Sequence, residues 1–219
     1  MPEDKLIALK IVITACFAVI MLTVPLPAQQ ASQPQNPARY ETEDRSQWQM
    51  PETVVDSLEL KPGQTVADIG SASGFFARRF SPKVGPEGRV LAVDIDAEAL
   101  AYLARLAANQ GLANLDTLQA LADNPRLPEA GVDLIFMCNT LHHIPDRVAY
   151  LTRLKKALRP GGRVAIVDFF KKELPVGPAE LAHKLSQAEA KESFTEAGYR
   201  IDREFTFLPY QYFFSARPE

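Results

Sequence analysis

The chain has 219 residues, of which 47% are hydrophobic, enough for one domain with a complete core. Its formal net charge is −3 and its basic residues occur in pairs rather than clusters, so we expect no nucleic-acid partner. The only cysteines are Cys16, in an N-terminal apolar segment, and Cys138, in a predicted strand. This placement excludes an internal disulfide framework, and the sequence has no zinc-binding pattern.

The N-terminal segment resembles an export signal. Lys5 and Lys10 precede an apolar run at residues 11–24, whose length suits a secretory signal better than a membrane span. Leu26 to Ala28 offer small or neutral residues before a cleavage site. We therefore expect residues 1–28 to be a signal peptide or, alternatively, an uncleaved membrane anchor. Either would make the protein exported or anchored rather than cytoplasmic, with membrane contact only through this segment.

A polar stretch separates this segment from the predicted domain. Residues 29–47 are rich in Gln, Pro, Asn and Ser, which is typical of an exposed, flexible linker. We expect the folded domain to occupy residues 48–219. Its first predicted element is a short helix at residues 51–60.

A strand, a loop of small residues and a helix follow one another at residues 66–79. The loop after the strand contains only small residues: Gly70, Ser71, Ala72, Ser73 and Gly74. A ligand can lie against such a backbone, and the N–H groups that open the helix can meet an anionic or polar group. The pattern Asp-x-Gly-x-Ala-x-Gly, which begins at Asp68, differs from the G-x-G-x-x-G of dinucleotide sites.

Residues 89–96 predict a second strand with acids at its carboxyl end. Asp94 stands where an acid in this architecture meets ribose hydroxyls. A carboxylate suits that role because it can accept two hydrogen bonds from a vicinal diol. Considered alone, an acid at this position is more often a cap at the end of a strand.

Helices and strands alternate through the rest of the chain. Helices are predicted at residues 97–110, 145–158 and 186–197. Strands are predicted at residues 115–120, 132–138, 163–169, 201–207 and 210–216, the last two as an antiparallel pair. The alternation predicts an α/β fold, a Rossmann-like three-layer sandwich whose seven-stranded sheet is mostly parallel and ends in that C-terminal pair.

Four stretches together resemble the class I S-adenosylmethionine-dependent methyltransferases, in particular the type 11 small-molecule group that includes the quinone-methylating enzymes. These stretches are residues 66–74, 93–96, 133–143 and 158–163. The resemblance covers residues 48–219 and implies S-adenosylmethionine as cofactor and a small-molecule acceptor. One departure is Ala72, which stands at the family's middle loop glycine and would crowd the cofactor.

The resemblance also assigns the cofactor-binding residues. Ligands of open parallel sheets lie outside the carboxyl ends of the strands. By resemblance, Ile95 lies against the adenine ring, and Asp123, beside the Ala122 backbone, meets the adenine amine. The full cofactor-binding set is Asp68, Gly70, Ser71, Ala72, Gly74, Asp94, Ile95, Ala122, Asp123 and Asn139.

Residues 139–143 lie where this architecture places the transferred methyl group. They lack the Asn-Pro-Pro-Tyr of the family's amine methylators, which argues against methylation of nucleobases or glutamine. His142 and His143 are candidate catalytic bases because imidazole titrates near neutral pH, although a histidine here also serves as a strand cap. The predicted substrate pocket has aromatic and aliphatic walls: Trp48, Leu141, Phe169, Tyr210 and Tyr212.

We therefore expect methyl transfer to the oxygen, carbon or sulfur of a small, largely apolar acceptor. Two alternatives remain open: a non-catalytic nucleoside-binding module on a degenerate methyltransferase fold, and another enzyme that uses this fold, such as an aminopropyl transferase. Ala72 and the export segment favour the binding module, because the cofactor is made in the cytosol. Binding of the methyl donor followed by transfer of a label distinguishes these possibilities.

Overall fold

The computed structural model describes residue 41 and residues 43–219. The predicted signal peptide or anchor, and linker residues 29–40, lie outside this range. The strands within it are β1 Thr65–Ile69, β2 Arg89–Asp94, β3 Leu115–Gln119, β4 Val132–Cys138, β5 Leu158–Phe169, β6 Tyr199–Phe205 and β7 Gln211–Pro218. The helices are α1 Glu43–Gln49, α2 Pro51–Ser57, α3 Ala77–Val84, α4 Ala97–Asn109, α5 Arg147–Leu154 and α6 Gln187–Glu196.

These strands form one sheet in the order β3-β2-β1-β4-β5-β7-β6. The first five strands in this order run parallel, and β7 pairs antiparallel with both β5 and β6. The predicted fold, including the C-terminal antiparallel pair, is therefore confirmed. The direction of winding reverses between β1 and β4, and in open α/β sheets the ligand binds at such a switch point.

The sheet is covered on both faces. Alternate residues of each strand point to opposite faces, so Ile135 in β4 packs with Leu151 and Phe194 of α5 and α6. Its neighbour Phe136 packs on the other face, against Phe80 of α3. Because both faces are buried, the central strands are nearly continuous apolar runs. The result is the predicted three-layer sandwich, with the carboxyl ends of the parallel strands along one edge.

Two predicted boundaries need correction. Residues 43–47, assigned to the flexible linker, belong to helix α1. The helix predicted at residues 145–158 ends at Leu154, and Leu158 already pairs with Val132 in the sheet. The spacing of apolar residues predicted too long a helix because Leu158 continues the apolar spacing of α5. A register irregularity between Val132 and Leu134 lets β5 extend back through Gly161, which has a positive φ of 78°.

None of the helices within residue 41 and residues 43–219 is long and apolar enough to cross a membrane.

Candidate functional site

The loop after β1 has the backbone of a ligand-binding turn. Gly70, Ala72 and Gly74 have φ values of 75°, 47° and 77°, in the left-handed region that favours glycine. A Cβ at Gly70 would overlap the Thr140 side chain, and one at Gly74 would overlap Leu103. The loop therefore needs glycine at both positions, whereas Ala72 adopts an unfavourable backbone conformation.

Two serines of this loop have buried hydroxyl groups without a hydrogen-bond partner. The Oγ atoms of Ser71 and Ser73 are buried and make no hydrogen bond within the part of the chain that the structure describes. Buried hydroxyls are normally paired, because leaving one unpaired is costly. A polar ligand against the loop would satisfy them. The loop thus fits the amino-acid part of S-adenosylmethionine.

Asp94 joins the loop to the second strand. Its carboxylate accepts hydrogen bonds from the N–H of Ala72, at 2.8 Å, and from the N–H of Asp96, at 3.0 Å. Asp96, not Asp94, caps the next helix by accepting from the N–H groups of Glu98 and Ala99. A carboxylate has about four acceptor positions, so Asp94 retains capacity for a diol.

Asp68 lies beneath the loop at the end of β1, with 3% of its surface exposed. Burial raises the pKa of its carboxyl to about 7. A hydrogen bond from the N–H of Ala77 and the positive charge of Arg45 act in the opposite direction, and the negative charge of Asp94 raises the pKa further. The buried acid is therefore subject both to the positive charge of Arg45 and to the negative charge of Asp94.

Exposed apolar side chains flank the ends of β2 and β3. Ile95 is 61% exposed and Leu121 is 47% exposed, although both are large and hydrophobic. Asp94 is paired with Gln119 in the sheet, so the two strand ends are adjacent. Apolar surfaces in this position suit a planar ring such as adenine. Sequence analysis identified Ile95 but missed Leu121. The sequence does contain a signal for Leu121, because this apolar residue directly follows the strand predicted at residues 115–120.

Ala122 and Asp123 lie in the turn that follows Leu121. The turn is closed by hydrogen bonds between the backbones of Leu121 and Asn124, and both predicted residues are exposed. They therefore stand at the edge of the site, free to meet a polar ring edge.

Helix α1 covers the carboxyl ends of the central strands. The guanidinium of Arg45 lies 3.9 Å from the centre of the Phe75 ring, and the rings of Trp48 and Phe169 are 5.6 Å apart. Arg45 also donates to the Gln49 side chain at 2.6 Å. Trp48, a predicted pocket wall, therefore packs beside Phe169, another predicted wall residue. Arg45 was missed because residues 29–47 were assigned to a linker.

A chain of buried amides connects α1 to Asn139. Gln49 is fully buried and donates to the Gln211 side chain at 2.9 Å and to the Cys138 sulfur at 3.1 Å. Gln211 in turn donates to the Oδ1 of Asn139 at 2.7 Å. Asn139 adopts a positive φ of 55°, a conformation that asparagine tolerates. The Asn139 side chain is therefore oriented by the protein itself, in a position beside the strand ends.

The two adjacent histidines have different surroundings. The Nδ1 atom of His142 lies 2.9 Å from each carboxylate oxygen of Asp168, and the two side chains are 5% and 1% exposed. His143 is exposed, and its ring centre is 4.0 Å from that of His142. Partial desolvation of the ring by its surroundings and the neighbouring His142 lower the pKa of His143, while Asp168 acts in the opposite direction. Sequence analysis treated the pair as equivalent and missed Asp168.

The predicted pocket walls are only partly brought together. Leu141 and Tyr212 are each 1% exposed and belong to the same core cluster beneath the site. Phe169 and Tyr212 are buried on neighbouring strands, and the ring of Tyr212 lies 6.0 Å from that of Phe170. Tyr210 is half-buried just before β7. Of the five predicted wall residues, Trp48 and Tyr210 keep part of their surface exposed, and the other three are buried.

Comparisons with known proteins agree with this geometry. A family model described as a methyltransferase domain matches residues 60–203. A ubiquinone/menaquinone biosynthesis C-methyltransferase UbiE from Hahella chejuensis is 29% identical over 56% of this chain and 50% of its own length. The UbiE protein of Coxiella burnetii is 32% identical over 55% and 49%. The chain thus spans about half the length of the curated relatives it matches.

A solved structure is similar to a larger share of the chain. The SAM-dependent methyltransferase from Aquifex aeolicus is 30% identical, covers 83% of this chain and 98% of its own, and superposes with a TM-score of 0.77. The range matched by the family model contains the loop, Asp94, both histidines and Asp168, but not helix α1.

Proposed function

We propose that this chain, which belongs to the class I S-adenosylmethionine-dependent methyltransferases of the type 11 group, transfers a methyl group to a small, largely apolar acceptor. The observation that carries the proposal is the loop from Gly70 to Gly74, which lies at the switch point of the sheet and carries two unpaired buried hydroxyls. Relatives named as C-methyltransferases support carbon as one acceptor atom, alongside oxygen and sulfur.

In this proposal the cofactor lies across the ends of β1, β2 and β3. Ser71 and Ser73 meet the polar amino-acid end, Asp94 accepts from the ribose hydroxyls, and Ile95 and Leu121 contact the adenine ring. Ala122 and Asp123 meet the ring edge, and Asn139 borders the methyl. The bound cofactor supplies a methyl group activated by its positively charged sulfur.

The protein then contributes alignment and the exclusion of water. Displacement at the methyl carbon needs the attacking atom in line with the breaking bond, so a rigid, water-poor pocket supplies most of the acceleration. Trp48 and Tyr210, with the buried rings of Phe169 and Tyr212 behind them, form an aromatic wall that suits an apolar acceptor and can face a cation. The oriented His142 is available as a base for acceptors that must lose a proton.

The first experiment measures binding of the methyl donor and of its demethylated product by calorimetry. The second incubates the protein with methyl-labelled donor and a bacterial metabolite extract, and identifies labelled products by mass spectrometry. We expect donor binding and a labelled small, apolar product. Label in peptide or RNA, with none in small molecules, would contradict the acceptor class.

The alternative of a non-catalytic binding module is favoured by one observation, the unfavourable backbone of Ala72 within the cofactor loop. This alternative predicts that the donor binds and that no extract fraction becomes labelled. An aminopropyl transferase would instead bind the decarboxylated donor in preference. Calorimetry with the decarboxylated donor, added to these two measurements, therefore separates the three functions.

A further inference from the structure

We propose that Asp168 is a positioning residue that holds His142 as the proton acceptor of the reaction, so that the acceptor is a phenol or an enol. The inference rests on the proposed methyl transfer and narrows its acceptor class. It arises from a contact between β5 and the turn after β4, two parts of the chain 26 residues apart.

The geometry fixes which nitrogen of His142 carries a proton. Both oxygens of Asp168 lie 2.9 Å from Nδ1, and an ionised carboxylate only accepts hydrogen bonds. Nδ1 must therefore donate, which leaves the lone pair of the neutral imidazole on Nε2. With 1% of Asp168 exposed, its charge depends on such partners rather than on water. His142 is thus held in the tautomer that a general base requires.

Asp168 is itself held in place. One of its oxygens, Oδ1, also accepts from the N–H of Phe169 at 2.9 Å. Its direct cross-strand neighbour is Tyr212, so both side chains lie on the same face of the sheet. The Tyr212 hydroxyl is buried and has no hydrogen-bond partner within the described residues. Burial raises the pKa of Tyr212, so this hydroxyl keeps its proton.

An acceptor hydroxyl fits a base held in this way. The proton of the hydroxyl passes to Nε2 of His142, and the electron pair left on the acceptor forms the bond to the methyl carbon as the bond from that carbon to sulfur breaks. The products are the methylated acceptor, the neutral thioether and protonated His142. If a conjugated carbon attacks instead of oxygen, its hydrogen leaves afterwards as a proton to water. A thioether or tertiary amine, which has no proton to give, would not need this pair.

The test reads the tautomer directly. The chain contains three histidines, so a two-dimensional ¹⁵N spectrum of the ¹⁵N-histidine-labelled full chain is simple, and His142→Gln assigns the signal. At a pH where His142 is neutral, we expect the Nδ1–H form in the unsubstituted protein. In Asp168→Asn, the amide oxygen remains on the N–H of Phe169 and the NH₂ group faces the ring, which should convert His142 to the Nε2–H form.

Kinetics then test the role in the reaction. Asp168→Asn should retain donor affinity and lose at least 100-fold in kcat, with little change in KM, for a phenol or enol found in the extract screen. Asp116→Asn, which removes a half-exposed acid that pairs with Arg89, is the matched control and should change neither measurement.

Two results would overturn the inference. One is the Nε2–H tautomer in the unsubstituted protein, which needs no variant and so stands even if Asp168→Asn does not fold. The other is an unchanged kcat in folded Asp168→Asn. Failure of the unsubstituted protein to bind donor or to label any small molecule would instead overturn the proposed function, and the tautomer would remain measurable.

Discussion

Replacing Ala72 with glycine tests how the cofactor loop is built. Ala72 has a φ of 47°, a left-handed conformation in which the Cβ of an L-residue approaches the carbonyl oxygen that follows it. Considered from sequence alone, Ala72→Gly should lower stability slightly, because glycine adds conformational entropy to the unfolded chain. The observed backbone reverses that expectation.

The size of the effect follows from two opposing contributions. Relief of the left-handed conformation is worth about 1–2 kcal/mol for a non-glycine residue. The added entropy of the unfolded chain costs about 0.4–1 kcal/mol. Ala72 is only half-buried, so its methyl group contributes little packing. We therefore expect Ala72→Gly to raise the free energy of unfolding by about 1 kcal/mol, or Tm by about 2–4 °C.

Two other alanines make matched controls. Ala130 is exposed, has a φ of 46° and lies away from the loop, so Ala130→Gly should stabilise by a similar amount and leave donor affinity unchanged. Ala104 is exposed within helix α4, where a glycine should destabilise by about 1 kcal/mol. Urea unfolding of the three variants measures the free energies, and calorimetry measures donor affinity, which Ala72→Gly should leave equal or improve.

The reasoning would be refuted if Ala72→Gly destabilised the protein as much as Ala104→Gly. Loss of donor binding in a folded Ala72→Gly would refute the picture of the loop itself, because glycine keeps the backbone N–H that donates to Asp94.

Further outcomes are expected elsewhere in the chain. Asp94→Ala should weaken donor binding about tenfold to a hundredfold in calorimetry, because a charged hydrogen bond is typically worth about 1.5–3 kcal/mol; unchanged affinity would remove Asp94 from the site. Because the pKa of Asp68 is raised from 3.8 to about 7, the folded state binds more protons between these values, so stability should fall as pH rises through them. Urea unfolding at pH 5 and pH 8 should show this slope in the unsubstituted protein, and Asp68→Asn should flatten it. Mass analysis of protein from fractionated bacteria should find cleavage after Ala28 in the exported fraction; intact Met1 on cytosolic protein would contradict export.

The fold and the cofactor loop could be predicted because their signals are local. A buried parallel strand is an apolar run, and a turn that requires positive φ selects glycine, so Val132 to Cys138 and Gly70 to Gly74 can be recognised without knowledge of their neighbours. The acid of Asp94 could likewise be placed, because it is the last residue of such a strand.

Helix α1 could not be predicted in this way. Its residues are mainly polar and charged, with no apolar stripe apart from Trp48. The contacts that stabilise it are distant in sequence: Gln49 bonds with Gln211, 162 residues away, and Trp48 packs on Phe169. Short isolated helices are marginal in water, so tertiary contacts decide whether such a segment is helical.

One feature of the sequence could have indicated that Asp168 has a hydrogen-bonding partner such as His142. Asp168 is an acid within the apolar run of β5, and an acid in a strand buried on both faces needs a partner with a hydrogen to donate. Sequence alone does not say which residue that partner is, because it depends on the pairing of β4 with β5, which brings the turn after β4 beside the end of β5.

The conformation of the loop depends on Asp94 as well as on glycine. Because Asp94 accepts from the N–H of Ala72 at 2.8 Å, part of the cost of the left-handed backbone at Ala72 is offset by a hydrogen bond to a charged group. The same carboxylate is the one proposed to accept from the ribose. On that proposal, the loop is ordered by the same residue that would contact the ligand, so less of the binding energy is needed to arrange the loop. On this argument, alanine at the middle position lowers the stability of the loop but leaves its shape, which is how the fold can tolerate it in a functional site.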